Sequence, residues 1–381
     1  MTFDSYTLGE VCSFIDYRGK TPKKATTGIP LITAKIVKNG FISKPDEFIA
    51  EEDYDSWMHR GIPRKGSVIM TTEAPLGEVA RIPSDDRLAF AQRIIVLEPR
   101  QEILDAGFLY YALRDSVLMG RIKSRATGTT VTGIKAAELK KVEIDCPPIE
   151  TQKRVASLLS SLDQRIENNE SINDNLLQQL QAIYQQIFDS ASRNDGVLSD
   201  ICSYSQRRVA VASLTLESYY STENMLPEKA GAVSASSLPT IVQTTGCAPG
   251  DVLISNIRPY FKKIVYCRSE CGCSTDVLCF VPMEPCLSPF LFSTLYDDRF
   301  FDYMVAGSKG TKMPRGDKQQ IMAYPVVKPS NTQLERFIAL GEPILAKIES
   351  SNQENKRLSA IRDALLPKLM SGEIDVSSIT L

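Results

Sequence analysis

Between positions 151 and 188 the chain reads TQKRVASLLSSLDQRIENNESINDNLLQQLQAIYQQIF, without one proline or glycine. Such a run, rich in Leu, Gln, Ala and Ser, predicts a single long helix. Within it Val155, Leu159, Leu162, Ile166, Asn169, Asn173, Leu176, Leu180, Ile183 and Ile187 recur at alternating steps of four and three. A stripe with that spacing returns to one face every heptad, so it has to be buried against a second helix. At ~1.5 Å rise per residue the segment would reach roughly 55 Å, more than one compact domain needs for its own core.

A partner with the same pattern lies near the C-terminus. Ile344, Ile348, Ser351, Asn355, Leu358, Arg362, Leu365 and Leu369 each stand 182 positions after the seam residues Leu162 to Ile187. Asn173 and Asn355 coincide in that register, and one polar pair in an apolar seam fixes register at some cost in stability. Separate packing of each helix on its own domain would not repeat an asparagine at matching seam positions. Gly341 and Pro343 interrupt the second seam. A short helix from about Thr332 and a main one from Pro343, a favourable first-turn residue, are therefore expected, ended by Ser371-Gly372.

The repeat extends beyond the helices. LGEVC at 8–12 is echoed by LSDIC at 198–202, PRKGSVIM at 63–70 by CAPGDVLI at 247–254, and RIIVLEP at 93–99 by DVLCFVP at 276–282. FLYYAL at 108–113 matches FLFSTL at 290–295, and a Gly-Thr loop near Gly128-Thr129 answers one at Gly310-Thr311. The expected architecture is α+β: two mixed α/β modules in a tandem pseudo-two-fold repeat, joined by two long helices packed as an antiparallel coiled coil. The boundaries read 1–148 for the first module, 149–190 for its helix, 191–330 for the second module and 331–381 for the last helix and tail. A turn-rich linker falls at 189–197. No apolar run approaches the ~18 residues of a membrane span, and MTFDSYTLGE is not a signal sequence, so a cytoplasmic location is expected. Nine cysteines without a secretory signal argue for reduced thiols.

Several fragments imitate catalytic motifs and fail on inspection. GKT at 19–21 ends like a phosphate-binding loop, yet Phe14 stands where its first glycine belongs. DCPPI at 145–149 resembles an amino-methyltransferase tetrapeptide but carries an extra Cys146 and lacks the stacking aromatic; as a stop before the helix it has a plainer role. Pro45-Asp46 has no acid-x-Lys in the stretch that follows up to Ala74, and a single histidine, His59, removes the simplest zinc and Ser-His-Asp arrangements. Cys267, Cys271, Cys273 and Cys279 lack C-x2-C spacing and read as buried strand cysteines.

Positive charge is what remains. The net charge is only −2, but its distribution is uneven. Arg18, Lys20, Lys23, Lys24, Lys35 and Lys38 cluster early in the first module, and Arg125 precedes its Gly128-Thr129 loop. The second module offers Arg207, Arg208, Arg258, Lys262, Lys263, Lys309, Lys312 and Arg315 in corresponding places, while the first long helix is acidic. Basic globular parts separated by a non-basic helix form the footprint of two DNA-binding ends. The Gly-Thr loops suit phosphate contacts or serve as tight turns closing each module, and Tyr17, Tyr260 and Phe261 belong to the groove or to the core.

Together the LGEVC and LSDIC openings, RGKTP at 18–22, the Gly-Thr loops and the PPIETQKRVASLLSSLD passage at 147–163 make this chain resemble the specificity subunits of type I restriction-modification systems, along essentially its whole length. The second copy departs from the pattern, with KPSNTQ at 328–333 in place of PPIETQ. The resemblance implies a non-catalytic protein with two target recognition domains, each reading one half of a bipartite site in double-stranded DNA. The helices, with seam residues Ile166, Asn169, Asn173, Leu176, Leu180, Ile348, Asn355, Leu358 and Leu365, would set the gap and dock two methyltransferase subunits. Restriction subunits would complete the assembly, and S-adenosylmethionine, ATP and magnesium would belong to those partners. Two rivals stand beside it, a fused nuclease or methyltransferase and a coiled-coil scaffold that binds no DNA.

Overall fold

The computed structural model describes residues 3–17, 21–128, 130–188 and 195–376. Two compact units divide it: one comprises residues 1–167 and 355–381, the other Asn168–Glu354. Each unit therefore contains one globular part and a stretch of both long helices.

In the first unit a four-stranded antiparallel sheet runs in the order Cys12–Asp16, Ile94–Pro99, Val68–Thr72, Leu76–Arg81. Side chains alternate across a strand, so each inner strand feeds two cores. Val68, Met70, Ile95 and Leu97 pack toward the helices Ala106–Arg114 and Ser116–Ser124, whereas Ile69, Ala80, Ile94 and Val96 join a second core built on Ile29–Ile32. Burial on both faces explains why these strands read as unbroken apolar runs. Asp105 and Asp115 cap the two helices through bonds of 2.9 Å from Phe108 N and Val117 N.

The second unit repeats the plan. Its sheet runs Cys202–Tyr204, Val277–Pro282, Val252–Ser255, Ile264–Tyr266. Val252, Ile254, Leu278 and Phe280 face the helices Ser288–Tyr296 and Asp298–Ala306, and Asp297 caps the latter just as Asp115 does 182 positions earlier. On the other face, Leu253, Val277 and Cys279 pack with Cys247, Cys267, Cys271 and Cys273. The cysteines are buried apolar residues with free thiols, and the one exposed cysteine is Cys286.

The two long helices are Ile149–Phe188 and Asn331–Met370. Within each unit they run antiparallel. In the first, Asp163 meets Arg362 at 2.8 Å and Arg154 reaches the Val376 carbonyl at 3.4 Å; in the second, Asn169 meets Glu354 at 3.1 Å and Gln333 donates to the Ile187 carbonyl at 3.1 Å. Ile166, Asn169, Asn173 and Leu180 are buried, while Leu176, Ile348, Asn355, Leu358 and Leu365 are half-buried.

Two expectations are corrected. Asn173 bonds Asn352 at 2.9 Å instead of facing Asn355. A repeat aligns residues at a constant difference, but antiparallel neighbours keep a constant sum, so 173 meets 352. The second helix is also unbroken through Gly341 and Pro343. Phe337 and Leu345 anchor it on either side of the exposed Pro343, and Gly341 lets the chain approach Leu180, whose Cδ1 would lie 3.1 Å from a Cβ there. Packing outweighs the local proline penalty. The helix does end as expected, with Gly372 at φ +75°. Of the 189–197 linker, residues 189–194 lie outside the described residues.

The start of the first helix is fastened by Gln152, which is fully buried. Its Oε1 accepts from Asp105 N at 2.9 Å, and its Nε2 donates to the carbonyls of Ile103 and Pro147 at 2.9 and 2.8 Å. The prolines of DCPPI thus lead into a locked helix start, and Asp145 pairs with Arg121 at 2.7 Å.

Candidate nucleic-acid interface

Each unit carries the same small device. In the second, residues 309–315 form a hairpin closed by reciprocal backbone bonds of 2.9 Å between Lys309 and Arg315. In the first, Thr127 and Gly133 form the same reciprocal pair at 2.9 Å, 182 positions earlier. Gly128 and Gly310 turn the two hairpins at φ +123° and +100°, values that suit glycine. Gly128 is indispensable to its turn because a Cβ there would sit 2.1 Å from the Val131 carbonyl oxygen.

Each hairpin leans on the loop between the sheet's third and fourth strands. Ile134 N donates to the Thr72 carbonyl at 3.0 Å in the first unit, where Glu73 also bridges Gly133. In the second, Arg258 N donates to the Pro314 carbonyl at 2.8 Å and Gly316 N to the Asn256 carbonyl at 3.2 Å. A loop and a hairpin from separate parts of the sequence thereby share one face.

On that face in the second unit lie Arg258, Tyr260, Phe261, Lys262, Lys309, Gly310, Thr311, Lys312 and Arg315. Tyr260 and Phe261 are 46% and 36% exposed, with ring centroids 4.7 Å apart, so this pair lies at the surface and not in the core. Lys262 pairs with Asp298 at 2.8 Å, Lys309 with Asp317 at 2.5 Å and Arg315 with Asp276 at 3.0 Å, so acids hold most of these cations in place. The hydrogen bond from Lys309 keeps the Asp317 carboxyl below its usual range. Lys312 makes no ion pair among the described residues and is exposed.

The remaining candidates of this unit are placed differently. Arg207 is bound to the buried Asp251, Arg208 is exposed at the start of the strand Arg208–Ala210, and Lys263 turns inward to donate to the Thr222 carbonyl at 2.5 Å. Burial lowers the pKa of Lys263. Arg207 and Lys263 are thus engaged in holding the unit together.

In the first unit, Lys24, Thr33, Lys35, Glu47, Gln92 and Arg93 line a cleft of about 250 Å³. Lys24 pairs with Glu47 at 2.8 Å, Lys35 with Asp46 at 2.6 Å, and Arg93 with Glu73 at 3.0 Å. Glu73 also touches the hairpin, so cleft and hairpin adjoin. Lys23 is exposed, Lys38 sits on the separate ribbon of Val37–Lys38 with Phe41–Ile42, and Arg125 pairs with Glu138 at 3.2 Å. Arg18, Lys20 and Thr129, like most of the GKT fragment, lie outside the described residues. Tyr17 belongs to the core, stacked on Phe90 at 6.0 Å.

Residues 2–178 match the family model described as the Type I restriction modification DNA specificity domain. The MjaIX type I restriction enzyme specificity subunit of Methanocaldococcus jannaschii is 25% identical over 92% of this chain and 88% of its own length. The first part of the chain thus matches a type I DNA specificity domain, and nearly its whole length is similar to a type I specificity subunit. The EcoDI specificity subunit of Escherichia coli is 21% identical over 74% of this chain and 73% of its own. Among solved structures, a type I restriction-modification S subunit from M. genitalium covers 97% of this chain and 96% of that one at 18% identity, with a TM-score of 0.54. The α+β tandem fold is therefore that of a type I S subunit.

No group of three or more His, Cys, Asp or Glu among the described residues is placed to hold a metal ion, and no described helix is long and apolar enough to cross a membrane. His59 shares a 3.0 Å hydrogen bond with the Ser56 carbonyl, and Asp46 serves as the partner of Lys35. One cluster escaped the sequence reading. Buried Asp163 accepts from Tyr111 Oη at 2.7 Å and Arg362 Nη1 at 2.8 Å, with Arg114 Nη1 at 3.4 Å. Arg362 standing at a seam position was its visible signal. In the first unit the cluster ties the globular part to both long helices.

Proposed function

We propose that this chain recognises DNA sequence for a type I restriction-modification complex, each unit reading one half of a bipartite duplex site. The recognition parts are residues 1–148 and 191–330, and the helical spacers 149–190 and 331–381. The observation that carries the reading is the loop-and-hairpin face, built twice at a separation of 182 residues and set among cations in both copies. Ion-paired lysines and arginines at such a face can exchange their carboxylates for phosphates, which position a protein on DNA, while other side chains reach base edges. The long helices would dock two methyltransferase subunits, with restriction subunits joining the complete assembly. S-adenosylmethionine, ATP and magnesium would enter with those partners.

The test is to co-express the full chain with the methyltransferase of its host, measure duplex binding against salt, and map methylated adenines. The expected result is a bipartite methylated motif and an affinity that falls steeply with salt, by ~0.9 decade per decade of salt for each phosphate contacted. Binding without sequence preference, or no duplex binding at all, would overturn the reading.

A further inference from the structure

The loop 256–263 of the second unit is more constrained than any phosphate-binding turn requires. Arg258 and Lys262 bracket the turn Pro259–Phe261 in the left-handed region, at φ +51° and +50°. Glu228 and Lys229, at φ +54° and +62°, lie beside it and donate backbone bonds to the carbonyls of Phe261 and Lys262 at 2.8 and 3.0 Å. Four non-glycine residues in that conformation at one place are costly, and such strain is retained where surrounding structure enforces a functional geometry.

Within this loop Arg258 stands apart from the ion-paired cations around it, while Lys263 is spent on the Thr222 carbonyl. Lys229 and Lys262 share Asp298, Lys309 has Asp317 and Arg315 has Asp276. Arg258 makes no ion pair among the described residues, and its Nε is buried without a hydrogen-bond partner. Its backbone is fixed through Pro314 on one side and the strained turn on the other, next to the exposed Tyr260 and Phe261. A planar guanidinium that is anchored, lacks an acceptor and sits beside exposed rings is suited to a flat, two-acceptor edge. In the major groove that edge is the O6 and N7 pair of guanine.

Building on the DNA-recognition reading above, we infer that Arg258 reads a guanine in the half-site of the second unit, with Tyr260 and Phe261 packing beside the base it contacts. The corresponding loop of the first unit, Glu73-Ala74-Pro75, has neither the arginine nor the aromatic pair, so the readout is specific to one half-site.

The test uses the full chain in complex with its methyltransferase and a pool of random-sequence duplexes, sequenced after selection. Wild type should select a bipartite motif with an invariant G·C pair in one half. Arg258→Ala should erase that preference at one position, with the other half-site unchanged and enrichment of the original motif reduced ten-fold or more. Arg258→Lys, which keeps the charge and loses the fork, should erase it too, and guards against a folding artefact when its melting temperature equals that of wild type. An unchanged motif in both variants, or uniformly weaker binding without loss of a base preference, overturns the assignment. A wild-type complex that selects no motif overturns the DNA-recognition reading itself.

Discussion

Replacing Asp163 by asparagine should destabilise the first unit by about 3 kcal/mol, the low end of the cost of removing one partner from a buried ion pair. Asp163 is only 6% exposed and its carboxylate faces three donors, Tyr111, Arg362 and Arg114. Asparagine keeps the shape but removes the charge and turns an NH2 toward one of those donors. With the NH2 at the Oδ2 position Arg114 still has Tyr110 Oη, at 2.7 Å, and Arg362 keeps the exposed Asp363 at 2.8 Å, which holds the cost toward the lower bound. For a unit of this size each kcal/mol lowers the melting temperature by ~2–4 °C, so a drop of roughly 6–12 °C is expected. Thermal unfolding of the full chain measures it, and amide exchange in the helix Ala106–Arg114 localises it. High salt should change the difference little, since the pair is shielded from solvent. The second copy shows how to remove the cluster without loss: its residues 182 positions from Asp163, Arg362 and Arg114 are Leu345, Leu180 and Tyr296. Importing Leu, Leu and Tyr, with Tyr111→Phe to remove the stranded hydroxyl, should restore stability to within about 1 kcal/mol of wild type. A loss below about 1 kcal/mol for Asp163→Asn alone would refute the claim that a buried charge cluster fastens the helices.

Four further outcomes are expected. Gly128→Ala should abolish the first hairpin, through both its φ and the 2.1 Å approach to Val131, whereas Gly310→Ala, with 3.5 Å of room, should cost only ~1–2 kcal/mol; melting curves and duplex binding separate the two. Lys309→Ala with Lys312→Ala should weaken binding to all sequences and reduce the salt slope by about 2, and an unaltered slope would remove them from the interface. Asn173→Leu should raise stability by about 1 kcal/mol, since Asn173 Oδ1 is buried without a partner and Asn352 is exposed enough for water to replace the lost bond; a lower melting temperature would count against it. Bonds from Lys229 and Lys262 hold the Asp298 carboxyl below its ordinary pKa of ~3.9, so its contribution is present above that pH and fades as pH falls through the lower folded value. Lys229→Ala with Lys262→Ala should therefore flatten the acid limb of the stability curve by less than ~1 kcal/mol, because the pair is half-exposed.

Periodicity made the long helices legible, and self-similarity made the two modules legible, because both properties are one-dimensional. What depended on three dimensions was lost. The constant difference between Asn173 and Asn355 could not reveal that an antiparallel contact would select Asn352. Pro343 looked like a helix start because its local penalty was visible and the anchoring by Phe337 and Leu345 was not. The cations were found by composition, yet sequence could not tell Lys263, which turns inward, from Lys312, which faces out. Tyr17 and Tyr260 read alike in the sequence, and only burial separates a core ring from a surface one.

The hairpins at 127–133 and 309–315 are closed and seated by main-chain bonds. Apart from the turn glycines Gly128 and Gly310, residues of the hairpins can consequently change with little debt to the fold, and a change in one copy leaves the other untouched. On the DNA-recognition reading proposed above, such a protein would be readily retuned: new sequence preferences would be within reach of single substitutions at each face, while the sheet cores and helix seams beneath stay under their own, separate constraint.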